Sequence, residues 1–247
     1  MKSVNTDVAY DYIRKRILSG EYEPGHPLMT ELLANEIKVS RTPVRDALRK
    51  LETDGLVTIR ARVGASVAKM GLKEYREMCD LRLALESHAA GLAALNRTET
   101  DLAEMRYALK AMQELTKQII SSRNRQSLRP ELVREDVRFH IAVMSGAKNT
   151  LMKKEILRFH LITHVISRPE SEPVLPERSE TNARLQVILA KHNDIYEAIA
   201  ASDYSLAKKE MESHIQEMIE HRFLAMARTE SGAMARELTP GEWRYQP

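Results

Sequence analysis

Four side chains in the second half of the chain have the types and spacing to hold a divalent cation: Asp136, His140, His192 and His214. Asp136 and His140 are four residues apart, so on a helix both project from one face and can share an ion. His192 and His214 lie 22 residues apart, with a Ser202-Asp203 break between them. Two antiparallel helices joined at that break would bring both imidazoles back to one level, because the rise per residue is the same on each leg. Three imidazoles and one carboxylate suit a borderline ion, zinc first, with nickel or manganese as alternatives, and leave positions open for a further ligand. Spacing alone leaves a blander reading open, in which Asp136 and His140 only hydrogen-bond on a helix surface. His26, His88, His160, His164 and His221 fall in no such pattern and read as structural or surface residues.

A second set has the chemistry to read DNA. Ser40, Arg41, Thr42 and Arg45 stand at the start of a helix, and Arg49 follows Arg45 by one turn on the same face. A helix entering the major groove needs such donors at its N-terminal end, where its dipole and free N–H groups also favour phosphate. Pro43 falls early in that helix, where its missing N–H costs nothing. Arg60 and Arg62, beside Gly64, would reach the backbone or minor groove from an adjoining hairpin.

The elements that must position these residues follow from periodicity and punctuation. Apolar residues recur at helical spacing over 6–19, and Gly20 stops them. A Pro-Gly turn follows, then a short helix that Thr30 can cap. Ser40 caps the next helix, which runs to Gly55. Two β-like runs, LVTIR and ASVAK, flank Ala-Arg-Val-Gly and read as a hairpin. Helix, helix, turn, helix, hairpin is the order of a winged helix-turn-helix. Beyond Met70 the pattern is helical throughout, in segments 72–96, 99–122, 130–146, 148–168, 181–201 and 203–228. The stretch 167–180, with three prolines and four glutamates, reads as a loop. Periodicity fades from about Ser231, which leaves 231–247 as a tail. The expected domains are therefore 1–70, 71–230 and that tail.

Composition agrees. At 247 residues the chain suits two domains, and 5% aromatic content with 12 Met favours helices over sheets. Residues 1–70 carry twelve Lys/Arg against nine Asp/Glu, while the rest is balanced at 26 of each, so all of the net +3 charge sits where DNA would bind. A single cysteine, Cys79, excludes an internal disulfide framework and fits a reducing compartment. With no apolar signal segment and no spanning run, a cytoplasmic protein is expected.

The first part of the chain resembles the winged helix-turn-helix of the GntR family of transcriptional regulators. The likeness is carried by the Pro24-Gly25 turn, the string from Val39 to Leu48 (VSRTPVRDAL), and the closing Leu51, Glu52, Gly55 and Leu56. Asp46 stands where the family usually has Glu. Lys38 stands at a turn position that is usually Gly, and if that position needs positive φ it costs on the order of 1 kcal/mol while offering a phosphate contact. The remainder resembles the FCD branch through Arg82, Leu85, Glu86, Ala89, Ala90, Ala93 and Ala94. That resemblance implies an antiparallel helical bundle around a pocket, and the metal-binding subgroup carries the Asp-x3-His, His, His order found here. It also singles out Arg82, which could bind an anionic effector's carboxylate or merely bridge to Glu86 one turn later.

The fold expected is mainly α: an N-terminal winged helix-turn-helix with a small β-hairpin wing, then an all-α antiparallel bundle. The function expected is that of a homodimeric, metal-containing DNA-binding regulator and repressor of a catabolic operon, released from a palindromic operator by a small organic or sugar acid. One alternative makes the metal itself the signal. Another is a metallohydrolase, since such a site can activate water, but no general base is placed by motif beside it.

Overall fold

The computed structural model describes residues 2–122, 127–166 and 178–237. The chain divides into two compact units, residues 1–70 with 154–177, and residues 71–153 with 178–247.

In the first unit, α1 (Lys2–Ser19) presents Ala9, Ile13 and Ile17, one turn apart, to a common core. Against it lie α2 (Thr30–Ile37) and α3 (Arg41–Thr53), the latter burying Val44, Ala47, Leu48 and Leu51. Each large side chain so buried contributes about 1.5–3 kcal/mol. The expected hairpin forms from β2 (Val57–Arg60) and β3 (Gly64–Val67), with Val57 opposite Val67 and Arg60 opposite Gly64. A third strand, β1 (Pro27–Leu28), pairs with the other edge of β3 and completes an antiparallel sheet in the order β1-β3-β2. Residues 154–166 also group with this unit, and Val165 is part of its core.

Thr30 does not cap α2. It is the helix's first residue, and Met29 occupies the cap position. Ser40 does occupy the cap position of α3, in extended conformation, without a side-chain bond to the helix. Lys38, after α2, is left-handed, with φ 60° and ψ 44°.

The second unit is helical. Its elements are α4 (Leu72–Asn96), α5 (Glu99–Ser121), α6 (Arg129–Gly146), the start of α7 (Thr150–Ile166), α8 (Arg178–Ala200) and α9 (Tyr204–Glu237). Helix α4 packs on α9, α6 and α8, and α5 packs on α6 and α8. Thr98 and Asp101 form a reciprocal capping box that starts α5. Ala201, Ser202 and Asp203 turn the chain from α8 into α9, where Asp203 accepts the Leu206 N–H.

Helix α9 continues through Glu237, so the first seven residues assigned to the tail extend the last helix. Residues 178–180, expected in the proline-rich loop, open α8. The rest of that loop and the tail beyond 237 lie outside the described residues. No described helix is long and apolar enough to cross a membrane.

Candidate metal centre and nucleic-acid interface

Three helices of the second unit bring together the four side chains picked out by spacing. Helix α6 supplies Asp136 and His140, α8 supplies His192 and α9 supplies His214. One ligand atom from each lies within 4.8 Å of every other. The three imidazoles are buried, and Asp136 is partly so. The antiparallel turn at Ser202 brings the rings of His192 and His214 to 4.4 Å between centroids. His140 joins them with its Nε2 3.3 Å from His214 Nε2.

Hydrogen-bond roles sharpen what this cluster can do. His192 Nδ1 lies 2.8 Å from the Ile188 carbonyl, which can only accept, so the ring's hydrogen sits on Nδ1. Its Nε2 faces Asp136 Oδ1 at 3.0 Å. Two bare acceptors at that distance repel, so either a proton on Nε2 or a metal ion between them satisfies the pair. Burial pulls the Asp136 carboxyl upward, but the contact with His192 and the nearby His140 and His214 outweigh it and hold it well below the usual carboxylate range. Burial, with His192 and His140 close by, pushes His214 well below its ordinary value, so its ring is neutral with a lone pair to give.

The donor set fits a metal. The ligand atoms lie within 4.8 Å of one another, and the His140–His214 and His192–Asp136 separations of 3.3 and 3.0 Å are short enough for each pair to share one ion. Asp136, His140, His192 and His214 would hold the ion.

Arg82 and Glu86 lie behind this cluster on α4. Arg82 is 1% exposed and donates from Nε to Glu86 Oε1 at 2.7 Å. Glu86 is wholly buried, and its Oε2 stands 3.0 Å from His140 Nδ1 in a bent approach. Burial alone would lower the pKa of His140, but Glu86 outweighs it and raises it. Burial likewise opposes the charge on Arg82, and the pairing with Glu86 raises its pKa instead. The bridge to Glu86 is thus one contact the structure displays for Arg82. The sequence placed Glu86 only as the bridging partner of Arg82, and its approach to His140 is what the structure adds.

In the first unit the DNA-reading candidates form an exposed rim. Ser40, Arg41, Thr42, Arg45 and Arg49 are all exposed, while Pro43, Val44, Ala47 and Leu48 between them are buried. Alternation at helical spacing turns Arg45 and Arg49 outward together. The Arg41 guanidinium pairs with Glu31 at the start of α2. Arg60, Arg62 and Gly64 are exposed at the hairpin end, where Arg62 (φ 64°) and Gly64 (φ 109°) are both at positive φ. The tip residue Val63 is 81% exposed. Glu52 Oε1 accepts the Ile59 N–H and ties the hairpin to α3.

The profile described as FCD domain matches residues 77–217, and that described as bacterial regulatory proteins, gntR family, matches residues 5–67. The chain is similar to the HTH-type transcriptional regulator YdhC of Bacillus subtilis (strain 168), 27% identical over 86% of this chain and 88% of that protein. It is 27% identical to the "Probable D-xylose utilization operon transcriptional repressor" of Paenarthrobacter nicotinovorans, over 83% of each chain. Among solved structures, Escherichia coli McbR/YncC aligns with a TM-score of 0.65 at 21% identity, over 90% of this chain and 98% of that one.

Proposed function

The chain belongs to the bacterial gntR family of regulatory proteins, in its FCD-domain branch, and is a DNA-binding transcriptional regulator rather than an enzyme; from that premise we propose a metal-containing repressor released from its operator by a small organic or sugar acid. The observation that carries this reading is the convergence of Asp136, His140, His192 and His214 in one helical unit, with the buried cation Arg82 one carboxylate behind them. A divalent ion there would supply a fixed positive centre with an affinity for oxygen donors. An anionic, oxygen-rich molecule is the ligand such a centre and Arg82 favour. The D-xylose operon repressor among the relatives supports a catabolic operon as the target.

On the DNA side, Ser40, Arg41 and Thr42 would meet phosphates at the start of α3. Arg45 and Arg49 would face base edges, and Arg60, Arg62 and Gly64 would follow the backbone into the minor groove. Two copies would place two recognition helices on a palindrome one helical turn apart. An effector that binds only one spacing of those helices shifts the population toward it.

The test is a mobility-shift assay on the region upstream of the chain's own gene, with the purified protein and a panel of organic and sugar acids. Binding to a palindromic site and release by one such acid is the expected result. A response to added metal alone, with no acid active, would replace the effector reading by metal sensing. Failure to bind any palindromic site would end the operator assignment.

A further inference from the structure

Glu86 is a buried carboxylate whose Oε1 accepts from Arg82 Nε at 2.7 Å and whose Oε2 stands 3.0 Å from His140 Nδ1 in a bent approach. The arrangement joins α4 to α6, since Arg82 and Glu86 are one turn apart on the first and His140 is on the second. A carboxylate can only accept, so Glu86 favours the hydrogen of His140 on Nδ1, with the lone pair of the neutral ring at Nε2. That Nε2 is the atom which stands 3.3 Å from His214 Nε2 within the four-residue cluster. His192 is fixed in the same sense by a different acceptor, the Ile188 carbonyl. The two rings are therefore set with Nδ1 outward and Nε2 inward by two unrelated partners.

We propose that Glu86 is a positioning residue for the metal centre: it locks His140 in its metal-accepting tautomer and links that ligand to Arg82. The proposal rests on the metal reading given above. Outer-sphere acceptors of this kind orient the ring and raise its donor strength, and their loss costs about 10–100-fold in metal affinity. The shared carboxylate also makes Arg82 and the metal interdependent. An external anion that draws the Arg82 guanidinium toward itself leaves more of the Glu86 charge to His140 and tightens the metal, and by linkage the metal tightens that anion to the same degree.

A simpler role for Glu86 would be to neutralise a buried Arg82, and the two roles separate in a double variant. Zinc affinity of the full chain is measured by competition with a chromophoric chelator for the wild type, Glu86→Met, Arg82→Met with Glu86→Met, and Arg82→Met with Glu86→Gln. A positioning role predicts that Glu86→Met weakens zinc about 10–100-fold and that removing Arg82 as well does not restore it. The Arg82→Met, Glu86→Gln pair regains most of the loss, because the amide oxygen can serve His140 once Arg82 no longer claims it. Zinc binding by the Arg82→Met, Glu86→Met protein equal to wild type would overturn the proposal while leaving the metal reading intact. A wild-type chain that takes up no zinc would end the metal reading itself.

A second readout needs no metal. Nitrogen-15 chemical shifts of His140 in the metal-free wild type should report hydrogen on Nδ1, and the Arg82→Met, Glu86→Gln protein should keep it there. A neutral ring with its hydrogen on Nε2 and none on Nδ1 in the wild type overturns the assignment. This readout also decides the matter if Glu86→Met fails to fold.

Discussion

His140 Nε2 and His214 Nε2 stand 3.3 Å apart although 74 residues separate them in the chain. Two buried imidazoles at that distance, with a third ring and a carboxylate beside them, gain nothing from hydrophobic burial that Leu or Phe would not supply better. Their arrangement costs desolvation and collects lone pairs on one point. A cation would turn this cost into binding energy. Asp136 and His140 alone define one face, and the reversal at Ser202 brings His192 and His214 to it.

Metal binding should therefore stabilise the chain measurably. With free zinc at 100 times its dissociation constant, linkage contributes about 2.7 kcal/mol. For a chain of this size that raises Tm by about 5–10 °C. Differential scanning calorimetry of chelator-stripped and zinc-loaded protein checks it. Asp136→Ala with His214→Ala should abolish the rise and contain no zinc by elemental analysis; equal zinc content in variant and wild type would refute the ligand set.

Lys38 makes a prediction with opposite signs in two assays. Its left-handed conformation (φ 60°) costs a non-glycine residue about 1 kcal/mol. Lys38→Gly should thus raise stability by up to about 1 kcal/mol in urea unfolding. It should also weaken DNA binding and lower the salt slope by about 1, because a phosphate contact is lost. Gain in both assays would remove Lys38 from the interface.

These two sites differ in how far they could be read from residues alone. The bounds of α4 and the hairpin were legible because turn residues and period agree there. Strand β1 was not, since two residues carry no period, and Pro27 and Leu28 become a strand only because β3 offers an edge. The helical state of 231–237 was not legible either, since α9 continues through Glu237 without a clear apolar stripe. The convergence of Asp136, His140, His192 and His214 was legible in their spacing together with the family resemblance. The role of Glu86 was not, because it depends on α4 lying against α6, a contact that no local pattern encodes.

Arg45 and Arg62 should behave differently on DNA if one reads bases and the other holds backbone. Arg45→Ala should cost about 1–3 kcal/mol and relax preference at one operator position. Arg62→Ala should weaken all sequences alike and reduce the salt slope by about 1. Quantitative mobility shifts on single-base operator variants, run at several salt concentrations, separate the two. Uniform loss for both would reassign Arg45 to phosphate.

Gly91 marks a close helix crossing. A methyl group there would lie 2.7 Å from Tyr204 Cε2 on α9, and the Tyr204 hydroxyl is itself 3.0 Å from His88 Nδ1. Gly91→Ala gains helix propensity, about 1 kcal/mol, but must displace an aromatic ring, which costs about 1–3 kcal/mol. The steric term wins, so thermal unfolding should shift downward. Tyr204→Ala in the same background should restore the propensity gain relative to Tyr204→Ala alone.

Asp101 sets part of the acid limit of the fold. Burial raises its pKa, but hydrogen bonds from Lys148 and from the backbone and hydroxyl of Thr98 outweigh that and hold it below the ordinary carboxylate value of 3.8. A folded pKa below the unfolded one means the stabilisation is fully present above the unfolded value. It is lost as pH falls through the folded one. Asp101→Asn removes the charge but keeps an oxygen that can accept the Thr98 N–H, at a cost of about 1 kcal/mol near neutral pH from the lost charge-assisted bonds to Thr98 and Lys148. The stability difference between wild type and variant should hold constant above about pH 5 and shrink as the pH drops below 3.8. Urea unfolding across pH 2–7 measures it. A difference that grows on acidification would contradict the direction of the shift, and one that never changes would mean the Lys148 and Thr98 contacts act through geometry and not through charge.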